Sequence, residues 1–192
     1  LEKRIEIIEK LHSMLIESKK QWPYDNLNEE MAATLLRARW SPRIPGNEKR
    51  KLETNFEIYM RDIATRLQKK AKTTQKEKDY LHAIKGYEDY LSVYPDNKYT
   101  VPILTNLAES YFNIKKYARA GYYYEKIVQK AGGGAKKDVL DSAIQAYALA
   151  LKNTDKLSKL ELNESRDGFR TTGSMFVKRY PSDKANAMIL FN

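Results

Sequence analysis

The sequence predicts an all-α fold built from antiparallel helix pairs, and three observations support that prediction. Apolar residues recur at spacings of three and four, which is the period of an amphipathic helix. Similar blocks recur within residues 80–128, where Ala83 and Ala120 are each followed by a tyrosine one turn later. Helix-breaking residues separate the apolar stretches at Pro23, Pro42, Pro95, Gly132 and Pro181.

Composition limits the classes of protein that this chain can be. Its 192 residues include 42% hydrophobic residues and 14 tyrosines, which is enough to bury a core and argues against general disorder. The chain has no cysteine, so disulfides and thiolate metal sites are excluded. No apolar run approaches the roughly 18 residues that a membrane helix needs. Because the chain begins at Leu1 without a methionine and ends within a helical pattern, we expect it to be a fragment of a longer protein.

The N-terminal part is predicted to be a helical pair with a linker, over residues 1–46. A first amphipathic helix is expected over residues 1–21, ending at Trp22-Pro23. Asn28 is predicted to cap a second helix over residues 29–40. The segment 41–46 is rich in helix breakers and is interpreted as a linker. We expect this pair to cap the helical array or to occupy its groove.

Helix pairs are predicted to continue through residues 47–181. Asn47 is expected to cap a long helix that ends in a turn at residues 73–75, and a helix over residues 77–93 is its partner. Later helices are expected over residues 102–113, 116–130, 137–152, 164–180 and 184–191. These helices define three repeat units, 47–97, 98–134 and 135–181, and the start of a further unit at 182–192.

The repeated blocks resemble the tetratricopeptide repeat (TPR) family over about residues 52–192. The resemblance rests on LQKKAKTTQKEKDYLHAIKGYEDYLSVYPDN and LAESYFNIKKYARAGYYYEKIVQK. It implies a right-handed α-solenoid and a role in protein–protein interaction. The third unit departs from the family, since Phe169 stands where a small residue is usual. The runs are also similar to TPR scaffolds of bacterial envelope and gliding-motility complexes, which implies the periplasmic side of a bacterial envelope, with the cytoplasm as the alternative.

The resemblance also implies where a partner would bind. In TPR proteins the first helices of successive units line a concave groove that holds a protein or peptide partner. The positions that correspond here are Gln68, Lys72, Thr105, Asn106, Glu109, Phe112, Ser142 and Gln145. The basic clamp by which some TPR cochaperones grip a C-terminal carboxylate is mostly absent, so we do not expect chaperone-tail binding.

No enzyme, cofactor or metal site is predicted. His12 and His82 each stand alone on a predicted helix, without a ligand at the spacing of a zinc helix. The GGGAKK segment at residues 132–137 follows a helix rather than a strand and lacks the remainder of a phosphate-binding loop, so we interpret it as a helix stop.

Other modes of interaction remain open at the level of sequence. At least one of Tyr122 and Tyr123 should be exposed, since the two flank Tyr124 on other faces. The net charge of +10 allows either a solvated exterior or attraction to anionic lipid or nucleic acid, the last being the less favoured. A spacer that stacks on copies of itself is the alternative to an adaptor. Basic clusters lie at Arg37, Arg39 and Arg43, at 49–51 and at 69–78.

Overall fold

The computed structural model describes residues 1–17 and 27–190, and within those ranges it contains nine α-helices and no strand. The all-α prediction is confirmed: 84% of the described residues are helical, in an architecture like that of helical-repeat proteins. The helices are α1 Glu2–Glu17, α2 Leu27–Trp40, α3 Gly46–Thr74, α4 Glu77–Val93, α5 Thr100–Asn113, α6 Tyr117–Ala131, α7 Lys137–Leu151, α8 Lys159–Arg179 and α9 Ala185–Leu190. The chain forms two compact units, residues 1–103 and 104–192.

Several helix ends lie where the sequence predicts them. Helix α4 has the predicted bounds. Helix α3 ends at the predicted turn, where Gln75 has a φ of 55° and its N–H donates to the Ala71 carbonyl at 2.8 Å. After α6, Gly132 has a φ of 52°, a conformation that costs glycine little, and this confirms the predicted glycine stop.

The core of the first unit lies between α3 and α4, and α2 packs on both of them. Helix α3 turns an apolar stripe towards this core, and α4 contributes large tyrosine rings. Burial of such large apolar surfaces is the dominant favourable contribution to folding. The largest fully buried side chains of this unit include Met31, Leu35, Phe56, Met60, Ile63, Tyr80, Tyr87 and Tyr90.

Asn28 joins three helices of the first unit. Its amide Nδ2 donates to the carbonyl oxygens of Met60 on α3 and Gly86 on α4, both at 3.2 Å. The residue is buried and is the second residue of α2, which begins at Leu27. The prediction that Asn28 caps this helix is therefore wrong, because its side chain satisfies backbone groups of neighbouring helices instead.

A charged cluster lies beside the same core. The Glu57 carboxylate accepts hydrogen bonds from the Tyr90 hydroxyl and from Arg61 Nε, both at 2.8 Å. The Arg61 guanidinium also lies over the Tyr99 ring, 3.9 Å from its centroid. Burial and the Glu57 carboxylate raise the pKa of Tyr90. The carboxylate is thus paired on both sides, as a largely buried charge must be.

The second unit is organised around Tyr147 of α7. Helices α6, α7 and α8 pack pairwise, and the Tyr147 ring lies against Gly121 of α6 and Gly168 of α8. A Cβ at Gly121 would lie 2.5 Å from Tyr147 Cδ1, so only glycine fits there without a shift of the ring. The Tyr147 hydroxyl donates to Glu125 at 2.6 Å. One tyrosine thereby fixes the spacing of three helices.

A second glycine contact repeats this arrangement at the end of the unit. A Cβ at Gly173 of α8 would lie 2.7 Å from Ile189 of α9, just as Gly121 of α6 meets Tyr147 of α7. The residue before each glycine, Ala120 or Thr172, is fully buried.

Other predicted boundaries also change. Helix α3 begins at Gly46 after Pro45 and has no side-chain cap, so the prediction of a cap at Asn47 is wrong. Helix α8 begins five residues before its predicted start, because Ser158 and Glu161 form a capping box. Helix α1 is described as far as Glu17, and the predicted stop at Trp22-Pro23 lies outside the described residues.

Candidate partner-binding surface

The residues predicted to line a groove belong to both compact units. Gln68 and Lys72 lie on α3 in the first unit. The remaining six lie in the second unit, on the two helices that precede α6 and α8. They are Thr105, Asn106, Glu109 and Phe112 on α5 with Ser142 and Gln145 on α7.

Gln68 lies in the interior of the first unit. Only 5% of its surface is exposed, and its side-chain oxygen accepts a hydrogen bond from the Tyr87 hydroxyl at 3.0 Å. Its assignment as a partner-contact residue therefore needs correction. The physical reason is that Gln68 lies beside the buried residues Leu67 and Ala71, on the side of α3 that packs against α4. Lys72, one turn further along, is exposed.

Helix α5 presents partly exposed polar residues along one side. Asn106 and Glu109 are half-buried, and their backbone carbonyls accept hydrogen bonds from the side chains of Ser110 and Asn113, both at 2.8 Å. Phe112 is half-buried and meets Tyr117 edge to face, with 5.2 Å between ring centroids. This side of α5 combines hydrogen-bonding groups with one aromatic ring.

The Tyr124 hydroxyl of α6 is influenced by residues of both α5 and α7. Burial raises the pKa of the Tyr124 hydroxyl to about 12, the Glu109 carboxylate contributes to the rise, and a hydrogen bond with Ser142 opposes it. Glu109 of α5 and Ser142 of α7 thus both affect the pKa of this one hydroxyl of α6, and Ser142 Oγ also donates to the Asp138 carbonyl at 2.7 Å. Gln145 follows Ser142 by one turn and is exposed. We call Asn106, Glu109, Phe112, Tyr124, Ser142 and Gln145 the α5–α7 surface.

An aromatic and basic cluster lies on another side of α6. The Arg119 guanidinium lies 5.4 Å from the ring centroids of Tyr122 and Tyr123 and 5.7 Å from that of Tyr111. Tyr122 is 37% exposed and Tyr123 is buried, which confirms that one of the pair reaches solvent. The sequence prediction did not include Arg119, although its spacing of four from Tyr123 is a signal for contact on one helix face.

Other kinds of site are not seen among the described residues. Within residues 1–17 and 27–190, no three His, Cys, Asp or Glu side chains converge where a metal ion could be held. None of the described helices is long and apolar enough to span a bilayer.

Comparisons with known proteins find no match to a family model, to a curated protein or to a solved structure.

Proposed function

We propose that this chain is a non-enzymatic adaptor that binds an extended or helical peptide of a partner protein on the α5–α7 surface. The observation that supports the proposal most directly is the row of partly exposed side chains on α5, where Asn106, Glu109 and Phe112 follow one another at spacings of three and combine two polar groups with an aromatic ring. Helix α7, which packs against α6, carries further polar side chains that reach solvent, at Ser142 and Gln145. Such a surface offers hydrogen bonds to a peptide backbone and an aromatic contact at Phe112.

The close packing beneath this surface also favours binding. Tyr147 is held between Gly121 and Gly168, so α6, α7 and α8 have little freedom to shift relative to one another. A surface that is already ordered before binding loses less conformational entropy when a peptide docks. We infer that the second unit acts as a preformed platform.

The finer features of the proposal come from the resemblance to TPR proteins. We propose that the helix pairs continue as a right-handed TPR superhelix, and that the protein works in a bacterial envelope or motility complex on the periplasmic side. Small-angle X-ray scattering would test the first point, since an elongated superhelix scatters differently from a compact particle. Fractionation of the source cells, with detection of the native protein, would test the second.

The binding proposal is tested by capture followed by measured affinity. The intact chain and an Asn106→Ala/Phe112→Ala variant are used as bait in extracts of the source cells, and captured proteins are identified by mass spectrometry. Peptides of the captured partner are then titrated by calorimetry. We expect the variant to bind about 10-fold or more weakly, the loss typical of an interface hot spot.

Two controls separate binding from folding. Leu160→Ala/Asn163→Ala removes one apolar and one amide side chain from exposed positions of α8 and should leave affinity unchanged. Gln145→Glu changes an exposed residue of the α5–α7 surface and should weaken binding at an unchanged melting temperature. The proposal fails if the intact chain and the α5–α7 variants bind the partner equally, or if only misfolded variants lose it. Capture of the chain by itself alone would instead support a self-assembling spacer.

A further inference from the structure

Trp40, at the end of α2, is the most exposed large apolar side chain among the described residues of the first unit. It is 86% exposed, and Leu36, one turn earlier on the same helix face, is 44% exposed. The opposite face of α2 carries the buried residues Met31, Leu35 and Ala38. An indole in this position contributes nothing to the core and leaves a large apolar surface in water. We call Leu36, Arg37, Trp40 and Arg43 the Trp40 patch.

The charge of this patch is positive, and the described residues of the first unit form no ion pair with its arginine side chains. Arg37 and Arg43 are exposed, and neither side chain forms an ion pair or hydrogen bond with another residue of the described ranges. The acidic residues at the far end of the same helix are paired, Glu29 with Lys85 and Glu30 with Arg4.

The first turn of α3 carries one acidic and one basic residue, Glu48 and Lys49, and lies against the end of α2. Lys49 Nζ donates to the Arg39 carbonyl at 3.0 Å, which holds the start of α3 against the end of α2. Arg50 follows and is exposed. Arg39 itself is engaged with Glu53, and Lys51 lines a cleft with several glutamates, so neither counts toward the unbalanced charge.

The composition of the patch favours a lipid surface over a nucleic acid. Trp40 projects from a helix end beside the exposed turn at Pro42, so its ring is free to enter an apolar layer. Nucleic-acid stacking favours a succession of aromatic rings, whereas the neighbour of Trp40 on this face is aliphatic Leu36. Tryptophan prefers the boundary between headgroups and acyl chains, and arginine is attracted to anionic headgroups.

We propose that the Trp40 patch docks on an anionic lipid surface. Trp40 and Leu36 enter the boundary between headgroups and acyl chains, and Arg37 and Arg43 bind lipid phosphates. With two apolar side chains and few cations the contact is weak and reversible, and it would hold the adaptor near a membrane without anchoring it.

The test uses Trp40 as its own reporter. The chain has two tryptophans, so a Trp22→Phe background leaves Trp40 as the single indole. This protein is titrated with vesicles of mixed phosphatidylcholine and phosphatidylglycerol, and with vesicles of phosphatidylcholine alone. We expect the emission of Trp40 to shift to the blue, and the protein to sediment with the vesicles, only when phosphatidylglycerol is present.

Two variants of equal net charge test the assignment to this patch. Arg37→Gln/Arg43→Gln should weaken binding about 30-fold, whereas Lys152→Gln/Lys159→Gln, at exposed positions of the second unit, should not. Circular dichroism verifies that both variants fold. Equal weakening by the two pairs would show that only net charge matters and would overturn the proposal. So would an emission shift with a single-stranded oligonucleotide but none with vesicles.

Discussion

The ring of Tyr147 fills the space that a side chain at Gly121 would need, since a Cβ there would lie 2.5 Å from Tyr147 Cδ1. The contact is between helices α6 and α7, and the same ring meets Gly168 of α8 on another side. Helical glycine normally costs about 1 kcal/mol relative to alanine, so its use at both positions has a packing reason.

Gly121→Ala and Gly168→Ala should both destabilise the protein by about 1 to 3 kcal/mol, because the added methyl group forces the buried Tyr147 ring to move. Thermal unfolding followed by circular dichroism measures the change as a lower melting temperature.

Gly46→Ala is the matched control for these glycine variants. Gly46 lies in the first turn of α3 and has open space around it, so alanine there should leave stability unchanged or raise it by up to about 1 kcal/mol. A neutral or stabilising effect of alanine at Gly121 would show that the contact with Tyr147 does not set the helix spacing.

Asn28→Ala should destabilise the first unit by about 1 to 3 kcal/mol. The substitution removes the buried hydrogen bonds that the Asn28 amide donates to the carbonyls of Met60 and Gly86. Urea unfolding gives the change as a lower midpoint. Asn113→Ala is the comparison: the exposed Asn113 amide donates a hydrogen bond to the Glu109 carbonyl of its own helix, so the change should stay within about 0.5 kcal/mol. Equal effects of the two substitutions would contradict the bridging role of Asn28.

Two tyrosines of the first unit allow a comparison of hydrogen bonds to a charged and to a neutral acceptor. The Tyr90 hydroxyl donates to the Glu57 carboxylate and the Tyr94 hydroxyl to the Glu53 backbone carbonyl, both at 2.8 Å. Tyr90→Phe should cost about 1.5 to 3 kcal/mol and Tyr94→Phe about 1 kcal/mol. The free energy of unfolding in urea checks this order, and the reverse order would mean that Arg61 alone satisfies Glu57.

His12 makes the packing of α1 dependent on pH. Its buried ring stacks on Tyr59 of α3, with 3.8 Å between centroids, and its Nε2 lies 3.8 Å from an oxygen of Asp62. Burial lowers the pKa of His12 below its usual 6.5, Arg66 also lowers it, and Asp62 opposes the shift.

The sign of the effect follows from the lowered pKa. The unfolded chain binds a proton at His12 at a higher pH than the folded chain does, so the stability from this residue is present above 6.5 and falls as the pH drops towards the folded pKa. Melting temperatures between about pH 7.5 and pH 5.5 should show this fall. His12→Phe retains a ring against Tyr59 and should abolish most of this fall in melting temperature. His82→Phe should leave the fall unchanged. A fall of the same size in His12→Phe would assign the effect to other groups.

Much of the fold could be predicted because its signals are local. The bounds of α4 follow from the apolar stripe between two turns, and the start of α8 could also have been predicted, since Ser158 and Glu161 have the spacing of a capping box. Asn28 shows the limit of such rules: its sequence context favours a cap, but the positions of Met60 and Gly86, which are distant in sequence, decide its role.

The candidate site was predictable in its helices but less so in its residues. The periodicity places Glu109 and Ser142 on corresponding helices, but their shared effect on the pKa of Tyr124 depends on where α6 puts that hydroxyl. Gln68 fits the same periodicity and is nevertheless buried, because a polar side chain at a helix seam can pair with a neighbour such as Tyr87. Hydrophobic periodicity alone does not distinguish a partly exposed polar residue such as Glu109 from a buried one such as Gln68.

The segment between α7 and α8 has a practical consequence for work on this protein. Every residue from Lys152 to Lys156 is exposed. The helix on each side has its own terminal hydrogen bonds: the Lys152 N–H donates to the Ala148 carbonyl, and Ser158 caps α8. Chain inserted at such a place costs little beyond the entropy of a longer loop. A genetically encoded fluorophore or affinity epitope spliced between Asp155 and Lys156 would therefore report on the protein in living cells while leaving both helices intact.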